Sequence, residues 1–343
     1  MGIADGLGVS PAATAGAIVS GAYFGDKLSP FSDTTNLAPV AARSNLYDHI
    51  LHMLWTTTPA WLLGLLVYTI VGGGTGAGAS ESVTALAAAI SETFRLSPLL
   101  LLPPAITLGA AILRKPVIPS MVLSIVVALL LAFLYQGFGN EVLGEPNRFE
   151  TEHHRAVRIL KTLVVGVSPA LENDVLRAIL ARGGMVSMMD TMLIALCAFA
   201  FAGIVIRAGM LTVILEGLAR IATTAFRLTG VAAASSVVVA LITGNSYLAI
   251  LVPGELLAPA YRRLNLAAKN LSRTTEDCGT VVVPIIPWSI SAVFITSMLG
   301  VSTVDYAPWA VMCYAGIAMA LLSGGTGIGL APRRRDDETQ PGS

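Results

Sequence analysis

The sequence predicts an all-α, polytopic membrane protein, and three observations carry that prediction. Of 343 residues, 55% are hydrophobic and 12% charged, too little charge to cover the surface of a soluble domain. Five apolar stretches, near 53–71, 97–113, 118–136, 186–206 and 306–329, each reach the roughly 20 residues that cross about 30 Å of hydrocarbon. Three more, 11–42, 231–259 and 268–299, run to about 30 residues, longer than a straight helix at ~1.5 Å per residue needs. Each carries polar or helix-breaking residues near its middle, so these three read as broken helices or a re-entrant hairpin.

Charge and cysteine usage narrow the class further. Twenty-one basic and 21 acidic residues give a formal net charge of zero, so nothing global favours a nucleic-acid partner. Cys197, Cys278 and Cys313 lie far apart in or beside apolar segments, as free packing thiols do, and no zinc framework or cofactor motif appears. The start, MGIADGLGVS, lacks a basic n-region and an apolar h-region, so insertion rests on the internal segments.

Lysine and arginine in short loops set the orientation. Arg333, Arg334 and Arg335 place the C-terminus in the cytoplasm, with Arg262, Arg263, Lys269 and Arg273 on the same side; if 231–259 enters and leaves from that side, Arg207, Arg220 and Arg227 lie there too. Residues 209–227 put Leu211, Ile214, Leu215, Leu218 and Ile221 on one face opposite Glu216 and Arg220, an amphipathic helix suited to the inner interface. The expected organisation is a first transmembrane repeat over 1–136 and an extracytoplasmic loop over 137–185. A second repeat with its hairpin spans 186–330, and a disordered cytoplasmic tail covers 331–343.

The two repeats run with opposite hand. The broken helix 11–42 is followed by SNLYD and a plain span, 53–71; the broken helix 268–299 is followed by VSTVD and a plain span, 306–329. Paired interrupted helices in inverted halves point to the binding site of a secondary transporter. In the second half hairpin 231–259 precedes the broken helix. Its first-half counterpart would precede residue 11, so the chain is expected to lack its beginning, leaving a non-transporting subunit or a companion segment as an alternative.

Non-helical backbone at membrane depth survives only where protein or a wet cavity partners its freed N–H and C=O groups. In GDKLSPFSDTTN, residues 25–36, Pro30 interrupts the helix, Asp26 and Asp33 supply charge, and Ser29, Ser32, Thr34, Thr35 and Asn36 supply neutral oxygens. That is a hard-oxygen site for a small cation, and a carboxylate there can exchange a proton for the cation. A second reading makes Asp26–Lys27 an interfacial pair. In TEDCGTVVVPIIPW, Glu276 and Asp277 precede Gly279 and Thr280; they face the first break or else pair with Arg273. The hairpin tip, Thr243 to Ser246, offers Asn245 and Ser246 as closing groups.

Other polar features receive blander readings. Asp190 reads as interfacial. His49 and His52, with Asp48, have a metal-compatible i, i+3 spacing but read as a solvated inner-loop face, as does the Glu150–His154 charge run. Gly72–Gly78 lacks the lysine of a phosphate loop. No catalytic residue or resident metal is expected.

GAYFGDKLSPFSDTTNLAP, HILHMLWTTTPAW and KNLSRTTEDCGTVVVPIIPW together resemble the NhaC-type sodium/proton antiporter family of the ion-transporter superfamily, over residues 1 to 330 with a divergence at 137–162. The resemblance implies exchange of sodium for protons across the inner membrane, or, in related branches, exchange of carboxylates such as malate and lactate. It carries the family's polar motifs onto Asp26, Ser29, Pro30, Ser32, Asp33, Thr34 and Thr35, and onto Glu276, Asp277, Gly279 and Thr280. It implies several additional N-terminal helices in family members, and, by analogy of fold, a homodimer.

Overall fold

The computed structural model describes residues 1, 4, 8–30, 32–72, 84, 87–88, 90–92, 94–113, 115–136, 157, 161–166, 184–219 and 221–333. The Glu150–His154 run, nearly all of the 137–185 segment, the Gly-rich stretch 73–78 and the tail from 334 lie outside them. Among the described residues the regular elements are helical, with a single isolated bridge between Leu266 and Pro332.

The chain falls into two compact units. One comprises Met1, Val9–Gly74 and Leu193–Ser343, the other Gly2–Gly8 and Thr75–Met192. The helices flanking the two breaks pack into the first of these units. In that unit α1 spans Pro11–Lys27, α2 Asp33–Ala42 and α3 Leu46–Gly72. In the second unit a 3₁₀ turn, Pro98–Leu101, leads into α4, Leu102–Ile112; α5, Val117–Leu131, ends in a π turn, Ala132–Gln136. The Ser124 hydroxyl donates to Pro103 O at 2.8 Å and ties these two helices together.

Met189–Arg207 forms α6, Met210–Ala219 α7, Ala225–Thr243 α8 and Ser246–Arg263 α9. Ala268–Gly279 is α10, Ile290–Leu299 α11, Thr303–Tyr306 α12 and Val311–Thr326 α13. Local chemistry sets many of the starts: Ser10 before Pro11, Ser32, Thr224, Asn245, Ser289 and Ser302 each cap a helix through a side-chain oxygen.

Two elements differ from the sequence reading. The plain span 306–329 is bent by 51° between Thr303–Trp309 and Val311–Thr326; the helical turn runs through Pro308 to Trp309 and the chain leaves helical geometry at Ala310, whose ψ is 65°. The amphipathic helix stops at Ala219, and its Leu211 and Leu215 are buried against Val239, Ala249 and Val283. Part of its apolar stripe therefore packs on protein, while Ile214 and Ile221 stay exposed.

Burial is inverted relative to a soluble domain. Leu62, Leu65, Leu66 and Ile70 on α3, and Leu193, Leu196 and Phe199 on α6, are exposed, whereas Lys27, Arg273, Glu276 and Asp277 are fully buried. Only a lipid solvent rewards that arrangement. By length and composition, three helices of the described residues can cross a membrane, or up to five if each bent pair is one span.

Close backbone approaches position the breaks. A Cβ on Gly279 would lie 2.9 Å from Ala249 O, so α10 and α9 touch at their main chains. Between α8 and α9 the chain turns at Gly244, whose φ of 62° is left-handed and whose Cβ would meet Ser289 Cα at 3.1 Å; glycine meets both demands. The bend before α13 is stitched from elsewhere. The Tyr68 hydroxyl reaches Trp309 O at 2.5 Å and accepts from Val311 N at 3.3 Å, while Ser20 Oγ accepts from Met312 N at 3.3 Å.

Candidate functional site

The first break follows from its sequence. Proline at 30 ends α1 at Lys27, and Ser32 starts α2 by accepting from Thr35 N at 3.4 Å. The freed carbonyls between them are met by side chains. Asn36 donates to Pro30 O at 2.8 Å and Ser32 O at 2.6 Å; Thr35 Oγ1 lies 3.2 Å from Asp26 O and 3.3 Å from Lys27 O. Asp26, half-buried, accepts from the Thr34 hydroxyl at 3.3 Å beside the positive end of α2.

The second half contributes α10, a polar helix in which Asn270 through Gly279 are all buried. Such a helix must find its partners within the protein. Glu276 Oε1 lies 2.9 Å from Thr35 Oγ1, and Oε2 lies 2.7 Å from His49 Nε2. Asp277 Oδ1 accepts from Lys27 Nζ in an ion pair with both side chains at 0% exposure. Arg273 takes another direction, donating to Gly329 O and the Ser323 hydroxyl, each at 2.7 Å.

The His49 ring is held for either protonation state. Its Nδ1 lies 2.9 Å from Ser272 Oγ, which is also 3.2 Å from Lys269 O and 3.2 Å from the Ser44 hydroxyl. Neutral His49 donates from Nε2 to Glu276 and accepts at Nδ1 from Ser272. Charged His49 donates from both nitrogens, and the Ser272 proton turns to Lys269 O. Both ring nitrogens keep a partner in either state, and the Ser272 to Lys269 O bond forms only when His49 is charged. Thr35 shows the complementary imbalance: one hydroxyl proton faces three acceptors, Glu276 Oε1 and two carbonyls.

These positions revise several expectations. Asp26–Lys27 is not an interfacial pair, because Lys27 is buried against Asp277. Glu276 and Asp277 do not pair with Arg273. His49 and His52 are buried instead of solvated; His52 Nε2 bonds Asn270 Oδ1 at 3.0 Å, and no group of three His, Cys, Asp or Glu suited to a metal occurs among the described residues. Lys27 and His49 are the partners that residue-by-residue reading missed. Their signal was the polar run KNLSRTTED inside an apolar chain, which demands buried counter-groups.

The remaining predicted residues lie around the cluster. Asp33 is exposed and accepts from Thr34 N at 2.8 Å and from the Tyr247 hydroxyl at the start of α9. Asn36 is exposed, Ser29 half-buried, and Ser32 Oγ lies 3.0 Å from Thr34 Oγ1. Asn245 caps α9, with Oδ1 2.8 Å from Tyr247 N, and next to it Ser246 is half-buried. The turn before α9 abuts the far end of the second break, where Gly244 O accepts from Ile290 N at 3.3 Å. Among the described residues, the buried Asn245 Nδ2, Thr280 Oγ1 and Asp277 Oδ2 have no hydrogen-bond partner.

Lys27, His49, Glu276 and Asp277, fully buried together in a lipid-adapted helical unit where two helix breaks meet, define an integral membrane protein with charge closed inside it. The Na+/H+ antiporter family matches over residues 21–328, and the chain belongs to it. It is 40% identical to an uncharacterized Na(+)/H(+) antiporter of Haemophilus influenzae over 98% of this chain and 70% of that protein. It is 37% identical to the Na(+)/H(+) antiporter NhaC of Alkalihalophilus pseudofirmus, over 96% of this chain and 68% of that one. Against NhaC of Bacillus subtilis the identity is 32%, over 94% and 69%. No solved structure matches the chain.

Proposed function

We propose that this chain exchanges Na+ for H+ across the cytoplasmic membrane by alternating access around its two helix breaks. The observation that carries the reading is the contact of Glu276 with both His49 and Thr35. One carboxylate thereby joins a proton-carrying ring to a cluster of hard oxygens. Na+ would be held by the Asp26 carboxylate, the Thr34 and Thr35 hydroxyls, the carbonyls of residues 26 and 27, and Glu276 Oε1, the oxygen donors such an ion requires. Glu276 compensates one positive charge. A charged His49 and a bound Na+ draw on the same carboxylate, so the arrival of one favours loss of the other.

Ser29, Ser32, Asp33 and Asn36 would line the approach from the first break, and Asn245, Ser246, Asp277 and Thr280 from the second half. On this reading α8 and α9 form a re-entrant hairpin, the two broken helices belong to inverted repeats, and the C-terminus is cytoplasmic. The joining of both breaks through Glu276 and Asp277 supports that arrangement.

The test is Na+-driven proton movement in proteoliposomes, read by an internal pH dye, for the wild type, Glu276→Gln and His49→Gln. Wild-type exchange that both variants lose, with unfolding midpoints close to wild type, is the expected result. Undiminished exchange in Glu276→Gln would sink the assignment.

A further inference from the structure

We propose that a basic cavity in the same unit, set apart from the buried carboxylates, binds a phosphate-bearing anion. The cavity encloses about 440 Å3 where the C-terminal ends of α2 and α9 meet the N-terminal end of α10. That volume falls in the range of small-molecule sites. Four cationic side chains line it, Arg43, Arg262, Lys269 and Arg333, against one carboxylate, Asp48. Among the described residues Arg43, Arg262 and Lys269 form no salt bridge with a carboxylate, so an excess of like charge gathers around one open cleft, where Arg43 and Arg262 are exposed, Lys269 is half-buried and solvent softens the repulsion.

Helix dipoles explain part of this pattern and fail on the rest. Arg43 follows α2 and Arg262 lies in the last turn of α9, where cations are favoured. Lys269 stands in the first turn of α10, where a cation opposes the dipole. That helix also begins without a side-chain cap at Ala267; Ala267 N and Asn270 N find backbone acceptors at Ala331 O and Ala267 O, which leaves the amides of Ala268 and Lys269 for a ligand.

Arg43 carries a further cost. Its φ is 60°, the left-handed conformation in which a helix usually ends on glycine; a residue with a Cβ gives up about 1 kcal/mol or more there. Retaining a guanidinium where glycine would relax the backbone is accounted for if the side chain is needed in the cavity. An anion bound among the four cations would remove the repulsion, satisfy the α10 amides and reconcile Lys269 with its dipole. Arginine forks suit phosphate oxygens, in a free phosphate ester or a phospholipid headgroup.

The test uses the full chain. Delipidated protein in detergent is titrated with inorganic phosphate at constant ionic strength while the unfolding midpoint is followed. In parallel, nanodiscs of phosphatidylcholine with and without phosphatidylglycerol are compared by the lipid that stays bound on extraction. A midpoint rise with phosphate assigns a free-anion site; selective retention of phosphatidylglycerol without a phosphate response assigns a headgroup site. In R43Q/R262Q either response should weaken at least about tenfold.

Neither response in the wild type, or an undiminished one in R43Q/R262Q, overturns the proposal. K269Q decides the matter if the double variant fails to fold. It should raise the midpoint without ligand and weaken the anion response, opposite signs that a purely structural lysine would not give. A K269Q protein responding as the wild type does also overturns it.

Discussion

Lys27 and Asp277, 250 positions apart, meet as an ion pair with both side chains wholly shielded from solvent. Each closes one helix break, so the pair clamps the two breaks together. Removing one partner leaves a charge buried and uncompensated, which costs about 3–5 kcal/mol, whereas replacing both by apolar groups of similar volume is often close to neutral. Lys27→Met should lower the unfolding midpoint sharply, and Lys27→Met with Asp277→Leu should recover most of the loss. A single variant as stable as the wild type would show that the pair does not hold the unit together.

Thr35 carries the hydroxyl that reaches Glu276 and the two terminal carbonyls of α1. Thr35→Val keeps the shape and leaves those acceptors without that donor, at a cost of about 1–3 kcal/mol. Thr35→Ser should stay near wild type. Thermal unfolding of the two variants side by side checks this, and equal midpoints would rule out a role for the hydroxyl.

Gly279 abuts the Ala249 backbone, which cannot retreat without moving α9. Gly279→Val should therefore cost about 1–3 kcal/mol through overpacking. The same substitution at Gly300 is no control, because its φ of 69° adds strain; Gly21→Val, in α1 with open space around it, should cost less. Reversal of that order in measured midpoints would contradict the close approach of α9 and α10.

Asn270 holds the segment after α13 from both sides, accepting from Ala331 N at 2.9 Å and donating to Ala331 O at 2.7 Å. Asn270→Ala should loosen residues 327–333 while leaving α8 and α9 unchanged. Hydrogen exchange resolved by peptide should show faster uptake confined to that segment and the first turn of α10; uniform protection would mean that other contacts, such as Arg273 to Gly329 O, suffice.

Much of the fold was legible because lipid and backbone chemistry act locally. Proline at 30 and the serine at 32 marked the first break within a few residues, and Gly244–Asn245 marked the turn between α8 and α9 for the same reason. The bend at Ala310 was harder, since Tyr68 and Ser20, which satisfy its freed groups, lie far away in sequence. The site was legible only in kind. Carboxylates and hydroxyls at a break could be read from GDKLSPFSDTTN and TEDCGT, but which cation faces which carboxylate is a tertiary fact. His49 shows why: its spacing to His52 set both rings on one face that read as solvated, and packing buries that face against α10, at Glu276 and Asn270.

The distance along the chain between Lys27 and Asp277 also sets a timetable. At about 5–20 residues per second, a ribosome that has made Lys27 needs on the order of 10–50 s to make Asp277. Through that interval the lysine lacks Asp277, the carboxylate that compensates it in the folded unit, and an uncompensated ammonium in hydrocarbon is costly. The early segment must therefore linger at the water interface, or be sheltered by the insertion machinery, until α10 arrives. Final burial of α1 and α2 thus comes late, after α10 has been made, and a chain interrupted before Asp277 would leave Lys27 without its buried partner.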